Sequence, residues 1–304
     1  MLDAPAASSA GASLSEPEAL PRVAVDVPGE STAVVQEVPH SLVTSWKSFA
    51  SISESFKHDE NGQLVFSHTT YIVLDKDDGT VYYGSLEIPK LQISLEQAIN
   101  SLKKIPADEI YPLLPPELSS LALAATGPNQ YIKRPKFLSY SWSAGMQMIA
   151  TRFLEEARTL NLVRRHPHPN VVSLEGYVVS HNRIIGLALK NYPITLAQRR
   201  QSEDSKPLDK ASCYRSIERG VQHLHSLGIA HNDINPSNIM LDDEDCPVIV
   251  DLGSCKAFGE VLTEAGTPRW NDGFDTVSTR NNDKIGLRKL REWLGIPEDM
   301  LESA

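Results

Sequence analysis

The 304-residue chain has only three cysteines, Cys213, Cys246 and Cys255, and no two of them stand as a CxxC pair. The cysteines therefore fit reduced intracellular thiols better than a disulfide framework or a zinc site, and the cytosol or nucleus is expected. No apolar run approaches the ~18 residues that a membrane-spanning helix needs. The first twenty-one positions also lack Lys and Arg, so no secretory signal is expected. Positive charge is scarce as well, with 29 Lys and Arg against 39 Asp and Glu and a formal net charge of -10. Binding nucleic acid or an anionic membrane takes clustered cations that displace counterions, so neither partner is expected. What the chain does have is 41% hydrophobic residues, enough to fill a substantial core.

Residues 1–40 are rich in Ala, Ser, Pro and Glu and show neither a twofold nor a 3.6-residue period. They cannot bury enough apolar surface to offset the entropy of ordering, and a disordered tail is expected. Residues 41–125 are expected to form an N-terminal extension with a β-hairpin and a helix. The hairpin is Tyr71–Leu74 and Thr80–Tyr83 around a turn ending in Asp78-Gly79, and Ser94 with Gln97 opens the helix as a capping box. Residues 126–304 form the larger unit, divided near position 191. The spacing of Ile149, Phe153, Ala157, Leu160 and Val163 predicts a helix over 144–164. Strands over 175–180 and 183–189 follow around His181-Asn182. Further helices are predicted over 211–227 and after Asp283.

The strongest chemical signal is His231-Asn232-Asp233-Ile234-Asn235-Pro236-Ser237-Asn238, followed thirteen residues after Asn238 by Asp251-Leu252-Gly253. Asp233 can accept a hydroxyl proton. Asn238 and Asp251, the latter just after the apolar run Val248–Val250, supply two hard oxygen ligands suited to Mg2+. Phosphoryl transfer from ATP requires this combination of a base and cation-held phosphates, because its catalysis is mostly positioning and charge neutralisation. In one known pattern of such sites a strand-borne Lys paired with a helical Glu orients the phosphates, and Lys133 and Glu156 are the candidates for that pair. At about 100° per residue, Glu156 shares the face of Phe153 and Leu160, while Glu155 lies on the polar face. His166, His168 and His181 match no metal-ligand spacing.

These motifs, with His168-Pro169-Asn170, Gly176-Tyr177, His223-Leu224-His225 and Gly266-Thr267-Pro268-Arg269-Trp270, resemble the protein-kinase fold over Tyr131–Leu294. More narrowly, they resemble fungal kinase-like proteins whose catalytic loop reads HNDINPSNIM. The resemblance implies a two-lobed α+β fold with a divergent N-lobe, reaching to about 191, and a truncated C-lobe from 192. It implies catalytic roles for Asp233, Lys133 and Glu156, metal binding by Asn238 and Asp251, and an adenine-holding hinge at Leu189, Lys190, Asn191 and Tyr192. ATP and Mg2+ would be the cofactors, and Ser/Thr of a protein the acceptor. A small-molecule phosphotransferase and an ATP-binding scaffold without activity are the alternatives.

The departures from the family are specific. No G-x-G-x-x-G precedes Lys133, Asn235 stands where a protein kinase usually has Lys, and Asn232 follows His231 where Arg is usual. No Ala-Pro-Glu follows Gly266-Thr267-Pro268. Asp283 is expected to open the last helix and anchor the catalytic loop.

Overall fold

The computed structural model describes residues 42–123, 125–202, 207–263, 266–273 and 276–297, so the tail expected over 1–40 lies outside the described residues. The first described layer is an antiparallel sheet of four strands in sequence order, β1 (Phe49–His58), β2 (Leu64–Leu74), β3 (Val81–Leu86) and β4 (Lys103–Lys104). Its β2–β3 hairpin closes between Leu74 and Val81, with Gly79 at φ 83, where a Cβ would be strained. Alternate side chains of β2 leave on opposite faces. Tyr71 and Val73 pack on Ile93, Ala98 and Leu102 around helix α1 (Leu95–Ser101). Ile72 enters a second cluster with Val81, Ile105, Ile110, Ile149 and Ile185. The sheet is thus covered on both faces, which is why Tyr71–Val73 reads as an unbroken apolar run. Helix α1 is capped as the sequence indicates, with Ser94 Oγ accepting from Gln97 N and Gln97 Oε1 from Ser94 N.

A short helix α2 (Ala107–Ile110) and strand β5 (Ala122–Leu123) lead into a second sheet ordered β5-β7-β8-β6, where β6 is Gln130–Lys133, β7 Leu174–Ser180 and β8 Arg183–Lys190. The β7–β8 hairpin turns at His181 and Asn182, both at positive φ (46° and 59°). After a single turn, α3 (Tyr140–Ser143), helix α4 spans Met148–Arg165. It starts later than the predicted Ala144 because Gly145 and Gln147 both take left-handed backbone, φ 75 and 52, which no α-helix continues through. Its buried stripe is Ile149, Phe153, Glu156, Ala157, Leu160 and Val163, the spacing read from the sequence.

The remaining elements are β9 (Ile194–Thr195), α5 (Leu196–Gln201), α6 (Lys210–Ser226), β10 (Ile229–Ala230), β11 (Ile239–Leu241), β12 (Pro247–Ile249), β13 (Lys256–Ala257) and α7 (Arg280–Leu294). One apolar core runs through both halves, joining Phe153, Leu160 and Tyr177 to Ile217, Leu224, Ile249 and Leu290. Helix α7 begins three residues before Asp283, which therefore lies in its first turn instead of opening it. Gly286 lets α7 press on the loop that carries Ile234, since a Cβ there would meet the Ile234 carbonyl at 2.8 Å. No helix of the described residues is long and apolar enough to cross a membrane.

Candidate active site

The lower wall of the cleft is the loop after β10. Buried Asp283 fixes it: Oδ2 accepts from His231 N at 2.9 Å and lies 2.8 Å from His225 Nε2, while Oδ1 accepts from Asn232 N at 2.7 Å. Asn232 sits at φ 64, a conformation Asn tolerates better than Arg. Its amide reaches Ala230 O, Ser254 O and Ser278 Oγ within 3.1 Å, tying the loop to the segment after Asp251. His231 donates through Nε2 to Val250 O at 3.0 Å.

Asp233 follows, with its carboxylate held from two sides. Oδ1 accepts from Thr267 N at 2.8 Å; Oδ2 accepts from Thr267 Oγ1 at 3.0 Å and from Asn238 Nδ2 at 3.0 Å. Asn235 is buried and donates to Asp233 O (3.1 Å) and Thr267 Oγ1 (3.2 Å), while its Oδ1 accepts from Ser237 N (2.9 Å). Both of its N–H groups are spent on orienting the loop. Thr267 and the positioning contacts of Asn235 were not singled out from the sequence. Gly266-Thr267-Pro268 is visible there as a motif, but its distance from Asp233 hides the contact.

The upper wall carries Lys133 at the end of β6. Its ammonium is bonded to Glu156 Oε1 of α4 and to Asp251 Oδ1, the latter at 2.6 Å. One cation thus joins three of the residues picked from the sequence, and one of its three N–H donors remains available to the cleft. Burial pulls the Lys133 pKa down, but the charges of Glu156 and Asp251 outweigh it and hold the ammonium above the usual lysine range. Burial also raises Asp251, yet Lys133 prevails and lowers it to about 2. Glu155 points elsewhere and pairs with Lys256 at 2.7 Å.

Between the walls lies a cleft of about 370 Å³. Leu189, Lys190, Asn191 and Tyr192 line its rear, and Val172, Met240 and Val250 supply apolar surface. Lys133, Asn238 and Asp251 face the same space. Asn238 spends Nδ2 on Asp233, so Asn238 Oδ1 and Asp251 Oδ2 have no protein partner among the described residues. Two such oxygens, one charged, fit a magnesium ion. Strand β6 is the outer strand of its sheet, paired only with β8 among the described residues, and Tyr131 is 54% exposed beside it. This is the structural counterpart of the missing glycine-rich sequence. His168, set aside as a metal ligand, stacks on His223 at 4.9 Å.

The described geometry is that of a protein-kinase-like α+β domain, and comparison with known proteins agrees. Residues 136–271 match the protein kinase domain. The chain is 40% identical over 83 residues to serine/threonine-protein kinase PINK1, mitochondrial, of Homo sapiens, covering 26% of this chain and 14% of that protein. It is 35% identical over 117 residues to protein kinase MCK1 of Saccharomyces cerevisiae, covering 33% and 30%. It is 30% identical over 121 residues to the yeast fatty acyl-CoA synthetase and RNA processing-associated kinase 1, covering 36% and 13%. The chain spans less than a third of the length of each of these relatives. The fold is therefore protein-kinase-like. The matched stretch begins just after Lys133, so the upper-wall cation lies outside it.

Proposed function

We propose that the chain transfers the γ-phosphate of ATP, with magnesium, to a Ser or Thr hydroxyl of a protein, and that within the kinase-like class it stands with the fungal proteins whose loop reads HNDINPSNIM. The observation that carries this reading is the single cleft lined by Lys133, Asn238 and Asp251, in which Lys133 is bonded to Glu156 and Asp251 while Asn238 donates to Asp233. Asp233, aligned by Thr267 and Asn238, takes the acceptor's proton. Lys133, with its spare donor, holds the nucleotide phosphates, and Glu156 keeps that ammonium in place. Leu189–Tyr192 hold the adenine. Asn238 Oδ1 and Asp251 Oδ2 would bind magnesium, which when bound neutralises charge on the transferring phosphates. Asp251→Asn removes a charged ligand, so it should weaken nucleotide binding in the presence of Mg2+ far more than in its absence, measured by calorimetric titration. Equal loss in both conditions contradicts the metal assignment.

One observation favours a second reading, a nucleotide-binding scaffold: among the described residues no strand covers the open side of β6. Under that reading the wild-type protein binds MgATP and labels neither proteins nor small alcohols.

A further inference from the structure

A second cavity, of about 220 Å³, lies away from the catalytic cleft, where the β2–β3 turn meets the β7–β8 turn. Its floor is apolar, formed by Val81, Ile105, Ile110 and Ile185, members of one buried cluster. For scale, an apolar cavity of about 150 Å³ suffices to hold benzene. Two cations line the same space, Lys104 from β4 and Arg183 from β8. The Lys104 ammonium makes no hydrogen bond or ion pair among the described residues, although its charge acts on Asp78. Arg183 donates Nη1 to Tyr111 O at 2.8 Å, and its other N–H groups have no hydrogen-bond partner among the described residues. The one acid present, Asp78, is turned to its own hairpin: Oδ1 accepts from Thr80 N at 2.7 Å and Oδ2 from Thr80 Oγ1 at 2.9 Å. Ring-sized apolar space beside unspent cationic donors is complementary to a compact anion with an apolar body.

We propose that this cavity is a binding site for a small carboxylate carrying a ring-sized apolar group, held by Lys104 and Arg183 over the Val81–Ile185 floor. The nucleotide cleft plays no part in it, so the site stands or falls apart from the kinase reading.

Benzoate is the probe and benzyl alcohol its neutral counterpart, each titrated into the full chain at matched ionic strength with saturation-transfer NMR as the readout. Benzoate should bind saturably and the alcohol at least about tenfold more weakly, the loss expected when a charge-assisted pair is removed. Lys104→Glu, on an exposed position, should weaken benzoate by a similar factor without unfolding the chain, and Asp251→Asn should leave benzoate binding unchanged. Four results overturn the proposal: no saturable binding, equal binding of the alcohol, wild-type affinity in Lys104→Glu, or loss of benzoate binding in Asp251→Asn, which would place the carboxylate in the catalytic cleft.

Discussion

The two walls of the cleft are held together in different ways. The lower wall is a short contiguous loop over-determined by hydrogen bonds: Asp283 beneath it, Asn232 beside it and Thr267 across from Asp233. The upper wall is an outer strand whose Lys133 is held by two carboxylates from distant segments, Glu156 and Asp251. The lower wall is local and hydrogen-bonded, the upper wall long-range and electrostatic. Loss of the anchor beneath the first should therefore appear in stability, and loss of the ion pairs in the second in turnover and in pH dependence.

The largest stability effect is expected from Asp283→Ala. The substitution leaves the buried N–H groups of His231 and Asn232 and the ring of His225 without their acceptor. Stranding buried polar partners of a carboxylate costs about 3–5 kcal/mol, read as a lower urea midpoint at unchanged slope. A cost below about 1 kcal/mol would mean that the loop is held by other contacts.

On the upper wall, Glu156→Gln should lower phosphate transfer by roughly tenfold or more, equivalent to about 1.4 kcal/mol of barrier, with a smaller change in stability. Glu155→Gln serves as the control, because its pair with Lys256 is 43% exposed on the glutamate side and such pairs contribute little. Steady-state rates of the two variants separate them, and similar losses in both would show that α4 is registered differently.

The smallest effect concerns acid. The pKa of Asp251 is lowered from the ordinary 3.8 to about 2 by Lys133. A depressed carboxylate contributes stability above its unfolded value that disappears as pH falls through its folded one. Between pH 4 and pH 2 the wild type should lose more thermal stability than Asp251→Asn, since the variant has no such group to protonate. Parallel melting curves across that window would show that the Lys133 pair adds nothing to folding.

The same contrast explains what was legible in the sequence. Asp233, Asn238 and Asp251 lie within one short stretch, so their chemistry could be read from spacing, while α4 followed from periodicity and the two hairpins from β-rich runs around turn residues. Glu156 was distinguished from Glu155 because helical geometry fixes which of two neighbours faces inward, and Lys133 is indeed its partner. Strand β1 escaped notice because it lies on the edge of its sheet, keeps several polar residues in partial contact with solvent and shows no alternation. Helix α4 starts four residues later than its apolar spacing predicts because Gly145 and Gln147 take left-handed backbone, which periodicity does not register. Thr267 acts across 34 positions of sequence, a contact that only the folded chain creates. The role of Asn232 was likewise hidden, since the sequence shows only that Arg is missing and not that Asn in this conformation ties two segments together.

The most direct test of the central claim is phosphate transfer by Asp233→Asn compared with the wild type, with MgATP affinity measured on the same samples. If Asp233 meets the acceptor hydroxyl and not the nucleotide, as proposed, affinity should be nearly unchanged while transfer of labelled phosphate to a protein panel falls by roughly 10²–10⁴-fold, the usual contribution of a positioned general base. A wild-type protein that binds MgATP and transfers no phosphate above the Asp233→Asn background would contradict the claim of catalysis.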